Sequence, residues 1–260
     1  MPFLPMTQGH ENAGVISEIG EGVTGWNIGD AVGVCSSGVR PPLGMFNHGG
    51  FADKLVANFE DLARVPAGLS FELAALSTDA GMTSYHAMAK EGAVQAGMKV
   101  GVIGYGGLGQ IGMRTAVVKG AEVHVAEMKE DVWPLIKENG AASIVKDAAE
   151  WKGQNFDLVV DYAGFNTTEK ALEATHRGGT VVTVGLGLPE ATISTNVILG
   201  RKLIGSLGGT VQDIEEVMAL FASGDIKPAF EVIPFEDIAK GIERLRENKV
   251  TGRLVAHVND

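Results

Sequence analysis

The chain has 260 residues, which is enough for one large domain or two small ones. A hydrophobic share of 45% and a charged share of 20% are ordinary for a folded globular protein and argue against disorder. The net charge of −11 argues against nucleic acid as the main partner, because phosphate binding needs a basic face.

Other classes are excluded by what the sequence lacks. Its single cysteine, Cys35, rules out a disulfide framework and a zinc lobe built on four cysteines. No apolar run approaches the ~18 residues that a membrane helix needs. The first residues, MPFLPMTQGHE, lack the basic and then apolar pattern of a signal peptide. We therefore expect a cytoplasmic protein with no membrane partner.

The first part of the chain is predicted to form short strands between glycine turns. These strands are 13–19, Ala31–Val34 and 51–56. From Thr83 onward, apolar strands alternate with helices at the spacing of a parallel, doubly wound sheet. The predicted strands are Lys99–Ile103, Glu122–Ala126, Phe156–Asp161, 180–185 and 202–206, with helices over 107–119, 131–139 and 168–175. The tail is predicted to form helices 211–223 and 235–247 and a strand 253–258, and to fold back onto the first part.

The glycine-rich motif of the middle part is Gly104-Tyr105-Gly106-Gly107-Leu108-Gly109. It follows a predicted strand and opens a predicted helix, which is the context that a dinucleotide-binding motif requires. Gly104 would permit the tight turn, Gly106 would let the backbone approach a pyrophosphate, and Gly109 would let helix and strand pack closely. The alternative is a glycine turn that packs a βα unit without any ligand.

An acid stands where such a fold recognises the ribose. Glu127 follows the next predicted strand, and a carboxylate there accepts hydrogen bonds from the adenosine ribose and repels a 2′-phosphate. The sequence therefore favours NAD over NADP.

Further motifs run in order along nearly the whole chain: GHENAG at 9–14 followed by VISEIGEGVTGWNIGDAV, GGFAD at 49–53, DAGMTSY at 79–85 and GRLV at 252–255. With the glycine-rich loop they resemble the medium-chain dehydrogenase/reductase superfamily, specifically its zinc-dependent alcohol dehydrogenase branch. The resemblance implies an α/β fold of two domains. One is a Rossmann domain for NAD at 83–207, with a doubly wound parallel sheet. The other is a reduced, β-rich GroES-like catalytic domain formed by 1–82 and 208–260.

The same resemblance implies reversible oxidation of an alcohol to an aldehyde or ketone in the cleft between the domains, in a homodimer or homotetramer. It places His10 on the zinc-ligand histidine and Glu11 on a neighbouring glutamate that can approach the metal. Asp79 falls where many members have a cysteine ligand and some bacterial members an aspartate. Thr83 falls on a residue lining the nicotinamide site, and Arg253 lies near an arginine that reaches the cofactor phosphates.

The chain also departs from the family pattern. With GHE beginning at residue 9, the preceding segment, which supplies a cysteine zinc ligand and the hydroxyl that starts a proton relay, is expected to be absent. Its loss would leave apolar strand faces uncovered, so either the remaining strands repack or a partner subunit covers them, and we expect a homo-oligomer. The cysteine-rich lobe that holds a structural zinc is also missing, so we expect no structural zinc.

A catalytic zinc usually has three protein ligands and one open position. His10, Glu11 and Asp79 can supply three, although a set without thiolate holds zinc less selectively. Cys35 is a candidate replacement ligand, or a small buried apolar residue. His48 is a candidate ligand or proton shuttle, or simply an exposed loop histidine. Asp79 can also serve as a helix N-cap.

Without the usual relay hydroxyl, the proton released in the reaction must leave by another route. Ser36, Ser37, His48 and bulk water are equal candidates for it. Three functions remain as hypotheses. The first is an NAD-dependent, zinc-using alcohol dehydrogenase or carbonyl reductase. The second is a zinc-free reductase of enones or quinones in the same superfamily. The third is a cofactor-binding remnant without catalysis.

Overall fold

The computed structural model describes residues 4–37 and 41–258, and the chain divides into two compact units. One unit comprises Met1–Met82 together with Gly208–Asp260, and the other comprises Thr83–Leu207. Within the described residues, no helix has both the length and the apolar character needed to cross a membrane.

The strands are β1 (Asn12–Val15), β2 (Ala31–Val34), β3 (Leu62–Arg64), β4 (Lys99–Ile103), β5 (Glu122–Ala126), β6 (Ser143–Val145), β7 (Phe156–Asp161), β8 (Thr175–Thr183), β9 (Lys202–Gly205), β10 (Phe230–Pro234) and β11 (Arg253–His257). The α-helices are α1 (Phe71–Leu76), α2 (Met82–Tyr85), α3 (Gly109–Val118), α4 (Trp133–Glu138), α5 (Thr168–Ala174), α6 (Thr195–Ile198), α7 (Val211–Ala222) and α8 (Ile238–Arg246). Two π-helical segments, Ser77–Gly81 and His86–Glu91, flank α2.

The unit Thr83–Leu207 is built on one parallel sheet in the order β6-β5-β4-β7-β8-β9. Helices cover both faces, because alternate residues of each strand enter different apolar clusters. Leu158 and Val160 of β7 pack with the cluster that contains Met113 of α3, whereas Val159 packs with the cluster that contains Leu172 of α5. This confirms the predicted doubly wound sheet. Chain progression reverses between β4 and β7, and ligands bind such sheets outside the carboxyl ends of the strands at this point.

The unit with both chain ends contains a smaller antiparallel sheet, β1-β2-β3, and a parallel pair, β10-β11. Its core joins β3 to α1 and α7 through Ala63, Ala74, Ile214 and Met218. A side chain at Gly33 would come within 3 Å of both Met218 and Thr78, so β2 packs directly against this core.

Several predicted elements change in extent. The predicted strand 51–56 is wrong, because this segment is irregular and no described strand runs beside it. The predicted strand 13–19 ends at Val15, before a glycine turn. The helix predicted over 107–119 begins at Gly109, and the one predicted over 235–247 begins with a 3₁₀ turn, Phe235–Asp237. The helix predicted over 131–139 likewise begins with a 3₁₀ turn, Glu130–Val132.

Candidate functional site

The glycine-rich loop joins β4 to α3 at the carboxyl edge of the parallel sheet. Gly104 has a φ of +85°, in the region that favours glycine, and its amide donates to the carbonyl of Ala126 at 2.9 Å. A side chain at Gly109 would overlap the carbonyl oxygen of Gly104, so only glycine lets α3 begin this close to the strand. A Cβ at Gly106 would meet no atom within 4 Å. The loop therefore combines a tight turn, close packing and an open approach to backbone amides, as a pyrophosphate site requires.

Two further residues of the glycine-rich motif, Gly107 and Leu108, connect the loop to α3. Gly107 lies in the turn, and Leu108 is the residue that precedes the first helical position of α3. The first amides of a helix have no partner within the helix and carry partial positive charge. They therefore favour an anion at this end.

Glu127 is held beside the loop by backbone amides. The amide of Tyr105 donates to Oε2 of Glu127 at 2.7 Å, and the amide of Lys129 donates to Oε1 at 2.8 Å. The indole of Trp133 donates to the carbonyl of Glu127 at 2.9 Å. Side chain and backbone are both fixed, so a negative charge stands at one defined place next to the glycine-rich loop.

Asp161 organises the neighbouring loop at the end of β7. Its carboxylate is fully buried and accepts four hydrogen bonds: at Oδ1 from the amides of Ala163 and Gly164, both at 3.0 Å, and at Oδ2 from the hydroxyls of Thr167 at 2.6 Å and Thr168 at 3.2 Å. These bonds satisfy the buried charge and fix the loop at the point where the sheet order reverses. Asp161 is not among the site residues predicted from the sequence. The available signal was an acid that directly ends an apolar strand.

The other unit brings the predicted metal ligands together. His10 and Asp79 are 69 positions apart, yet Nε2 of the histidine lies 3.2 Å from Oδ2 of the aspartate. One ligand atom each from His10, Glu11 and Asp79 lies within 4.8 Å of the others. All three side chains are only partly exposed. The group is thus a half-buried cluster of one imidazole and two carboxylates.

Local structure explains how Asp79 reaches this position. It lies inside the π-helical segment Ser77–Gly81 and not at a helix N-terminus, so the N-cap interpretation is wrong. Such segments are rare and often occur at functional sites. The amide of Asn12, at the start of β1, donates to the hydroxyl of Thr78 at 3.2 Å. This bond ties the strand that follows His10 and Glu11 to the turn that carries Asp79.

Arg253 lies beside the same cluster. Its guanidinium forms an ion pair with Glu11, and burial lowers the pKa of the arginine. Arginine nonetheless stays charged at neutral pH. Glu11 therefore has a cationic partner in the protein itself, and the assignment of Arg253 to cofactor phosphates stays a prediction.

The three residues fit a divalent metal by spacing and chemistry. An ion held tetrahedrally at ~2.1 Å from each ligand needs ligand atoms about 3.4 Å apart. The facing atoms of His10 and Asp79 are already at 3.2 Å, and Glu11 is no more than 4.8 Å away. Imidazole and carboxylate are both zinc ligands, and three of them leave the open position of a catalytic site.

Comparison with known proteins bears on these two regions. Residues 107–223 match the family model described as zinc-binding dehydrogenase, and residues 1–67 match the alcohol dehydrogenase GroES-like domain. An alcohol dehydrogenase of Geobacillus stearothermophilus is 34% identical over 99% of this chain and 85% of its own length. This chain belongs to the zinc-binding alcohol dehydrogenase family.

Solved structures of the family share the fold. The structure of acetophenone reductase from Geotrichum candidum in complex with NAD superposes with a TM-score of 0.89, at 29% identity, over 96% of this chain and 81% of that one. The crystal structure of CAD from Helicobacter pylori complexed with NADP(H) gives a TM-score of 0.87, at 26% identity, over 99% of this chain and 83% of that one. Both nicotinamide cofactors thus occur among the relatives of this alcohol dehydrogenase family member.

The remaining candidates of the sequence analysis lie elsewhere. Cys35 is buried with its sulfur 3.6 Å from that of Met82, and burial raises the pKa of its thiol. Among the described residues it is not part of the metal-binding cluster. The structure therefore supports the apolar interpretation of Cys35. His48 is exposed and contacts the backbone amide and hydroxyl of Thr7 at 3.1 and 3.3 Å. Thr83 is buried at the start of the other unit, and its place at the nicotinamide stays a prediction.

Proposed function

We propose that this chain is an NAD-dependent oxidoreductase that interconverts an alcohol with an aldehyde or ketone, using a zinc ion held by His10, Glu11 and Asp79. One observation carries the proposal. Two residues 69 positions apart, His10 and Asp79, meet at 3.2 Å with a second carboxylate beside them, in a chain that also carries a complete dinucleotide loop.

The metal ligands have separate tasks in this proposal. When bound, zinc supplies Lewis-acid stabilisation of the substrate oxygen. Asp79 contributes charge at an oxygen that already faces His10, and π-helical backbone keeps it there. Glu11 lies beside His10 and Asp79 and also forms an ion pair with Arg253, so its negative charge is partly balanced without the metal. The chain thus offers one imidazole nitrogen and two carboxylates. Of the two carboxylates, that of Glu11 is ion-paired with Arg253, whereas that of Asp79 faces His10.

The cofactor-binding residues act mainly through the backbone. When bound, NAD supplies the acceptor or donor of the hydride. The amides at the start of α3 bind the pyrophosphate, and the open space at Gly106 admits it. Glu127 accepts the ribose hydroxyls and disfavours a 2′-phosphate. Asp161 keeps the neighbouring loop rigid, so the edge of the sheet presents one shape to the cofactor.

A second candidate is supported by the donor set itself. The cluster contains no thiolate, and a nitrogen/oxygen set holds zinc less selectively. A zinc-free reductase acting on enones or quinones would need the nucleotide loop and no metal. A non-catalytic remnant would bind cofactor and turn over nothing.

Metal content and turnover, measured on one preparation, separate these functions. We expect purified protein, never exposed to chelator, to contain about one zinc per chain and to oxidise alcohols with NAD. Removal of the metal should abolish turnover, and zinc should restore it, while NADH fluorescence still reports binding throughout. Enone reduction by metal-free protein would establish the second candidate instead. NADH binding without turnover on any carbonyl tested would establish the remnant.

We also propose a homo-oligomer, because β9 and β6 are the edges of the parallel sheet and an unpaired edge is a template for another chain. A monodisperse monomer in light scattering at micromolar concentration would contradict this. The absence of a structural zinc and a cytoplasmic location remain predictions from the sequence.

A further inference from the structure

A buried serine contacts Asp79, one of the two acids of the candidate metal-binding cluster formed by His10, Glu11 and Asp79. Ser36 follows β2, and its chain position is fixed by the neighbouring amide of Cys35, which donates to the carbonyl of Asp61 at 2.8 Å. Only 4% of Ser36 is exposed. Its hydroxyl lies 3.0 Å from Oδ1 of Asp79 and 3.2 Å from the carbonyl of Thr78.

The hydroxyl proton goes preferentially to the carboxylate. A hydroxyl has one proton to donate, and hydrogen bonds to a charged acceptor are about twice as strong as those to a neutral one. In addition, the Asp79 oxygen is the nearer of the two acceptors. Ser36 therefore engages Oδ1 of Asp79.

The two oxygens of Asp79 consequently face different partners. Oδ1 accepts from Ser36, whereas Oδ2 faces Nε2 of His10 at 3.2 Å. Oδ1 is therefore the oxygen held by the buried serine, and Oδ2 is the oxygen that lies beside the other proposed ligand, His10. Rotation of the side chain would break the contact with Ser36, so the orientation is fixed by hydrogen bonding as well as by packing.

We propose that Ser36 is a positioning residue that fixes Asp79 as a one-oxygen metal ligand and presents Oδ2 beside His10. This inference rests on the metal site of the proposed function. It concerns which oxygen binds and how tightly, and outer partners of ligating carboxylates commonly change metal affinity 10–100-fold. Ser36 touches neither substrate nor cofactor in this role.

Metal binding to the full chain tests the proposal without any activity assay. Zn²⁺ affinity is measured by competition with a chromophoric chelator, and coordination is measured by the visible absorption of bound Co²⁺. We expect Ser36→Ala to weaken Zn²⁺ binding about 10–100-fold and to change the Co²⁺ spectrum. Ser36→Thr, which keeps the hydroxyl, should retain the wild-type spectrum.

A buried threonine outside the metal-binding unit provides the control. The hydroxyl of Thr175 is buried and donates to the carbonyl of Leu172 at 2.9 Å. Thr175→Val removes a buried hydrogen bond at nearly constant size in the other unit, so it should lower the melting temperature while metal affinity and spectrum stay unchanged. If Ser36→Ala does not fold, Ser36→Thr and Ser36→Val differ by one hydroxyl at equal size and take its place.

The outcomes distinguish the two proposals. Wild-type affinity and spectrum in Ser36→Ala would overturn the positioning role and leave the metal site standing. An equal loss in Thr175→Val would also overturn it, because the effect would then be general destabilisation. A wild-type chain that binds neither Zn²⁺ nor Co²⁺ would refute the metal site and, with it, the role of Ser36.

Discussion

The two candidate sites differ in whether backbone or side chains form them. They are the glycine-rich edge of the parallel sheet and the cluster of His10, Glu11 and Asp79. The first consists mainly of backbone from one stretch, 104–127, where glycines leave room beside the loop and a backbone amide fixes the carboxylate of Glu127. The second uses side chains from distant positions, of which His10, Asp79 and Arg253 are examples. A backbone site depends on local conformation and tolerates most side-chain changes. A side-chain site is lost when one group is removed, even if the fold is intact.

The largest expected effect follows from removing a ligand. Asp79→Asn keeps size and removes charge, and His10→Ala removes the nitrogen donor. Each should lower kcat/KM by about 10³-fold, because Lewis-acid stabilisation contributes several kcal/mol. NADH affinity should stay within about twofold of wild type, since the nucleotide loop lies in the other unit. Steady-state kinetics and NADH fluorescence titration measure the two quantities.

The control for these variants is an acid of similar charge far from the cluster in sequence. Asp237→Asn, whose residue pairs with Lys240 on the surface, should leave both kinetics and NADH binding unchanged. A parallel loss of turnover and NADH affinity in Asp79→Asn would show that the two regions do not act separately.

The next effect contrasts two glycines of one loop. In Gly109→Ala the new methyl overlaps the carbonyl of Gly104, so we expect a loss of about 1–3 kcal/mol in unfolding free energy together with weaker NADH binding. In Gly106→Ala the methyl meets no protein atom, so stability should hold while NADH binding weakens about tenfold or more. Thermal unfolding and NADH titration separate the two cases. Equal NADH affinity in Gly106→Ala and wild type would exclude close approach of the cofactor to that position.

The two units also differ in how well the sequence predicts them. Lys99–Ile103, Glu122–Ala126 and Phe156–Asp161 are predicted to the residue, because each is a short run, mostly buried and rich in valine, that alternates with a helix along the chain. β6 is missed because a run of three residues is too short to show the alternation of apolar and polar side chains that marks a strand. β8 begins earlier than predicted, and its pairing with β7 shifts register between Phe156 and Leu158, which no local pattern reports.

The smaller sheet is predicted less well. Its strands are three or four residues long, and the run 51–56, two apolar, two charged and two apolar residues, pairs with no described strand. β10 is missed because it contains an exposed glutamate and ends in proline, although it pairs fully with β11. Short strands depend on neighbours that are distant in sequence, so composition alone does not determine them.

The candidate sites follow the same division. The nucleotide loop can be predicted from local sequence, because its strand, glycines, helix and acid lie within one continuous stretch, 99–127. The candidate metal ligands are predicted only through the family resemblance, and the sequence does not indicate their contacts with Ser36 and Arg253. Ser36 is 43 positions from Asp79, and no spacing rule links a serine after a strand to an acid within a helix. Such contacts are set by tertiary packing.

The smallest expected effect concerns cofactor choice at Glu127. Both of its carboxylate oxygens accept backbone amides, so the charge is fixed beside the loop. A unit charge ~4 Å from another near a protein surface interacts by up to about 4 kcal/mol, and screening reduces this. We expect Glu127→Gln to shift the ratio of kcat/KM for NAD over NADP toward NADP by about tenfold, mainly through improved KM for NADP.

A neighbouring acid makes this prediction specific. Glu130 is exposed and paired with Lys146, so Glu130→Gln changes the net charge by the same amount three residues away. We expect it to leave the cofactor ratio nearly unchanged, because exposed charges are well screened. If both variants shift the ratio equally, discrimination comes from the general negative charge of the chain, −11 overall, and not from one fixed carboxylate. If only Glu127→Gln shifts it, the acid beside the loop selects the cofactor through direct contact with the ribose.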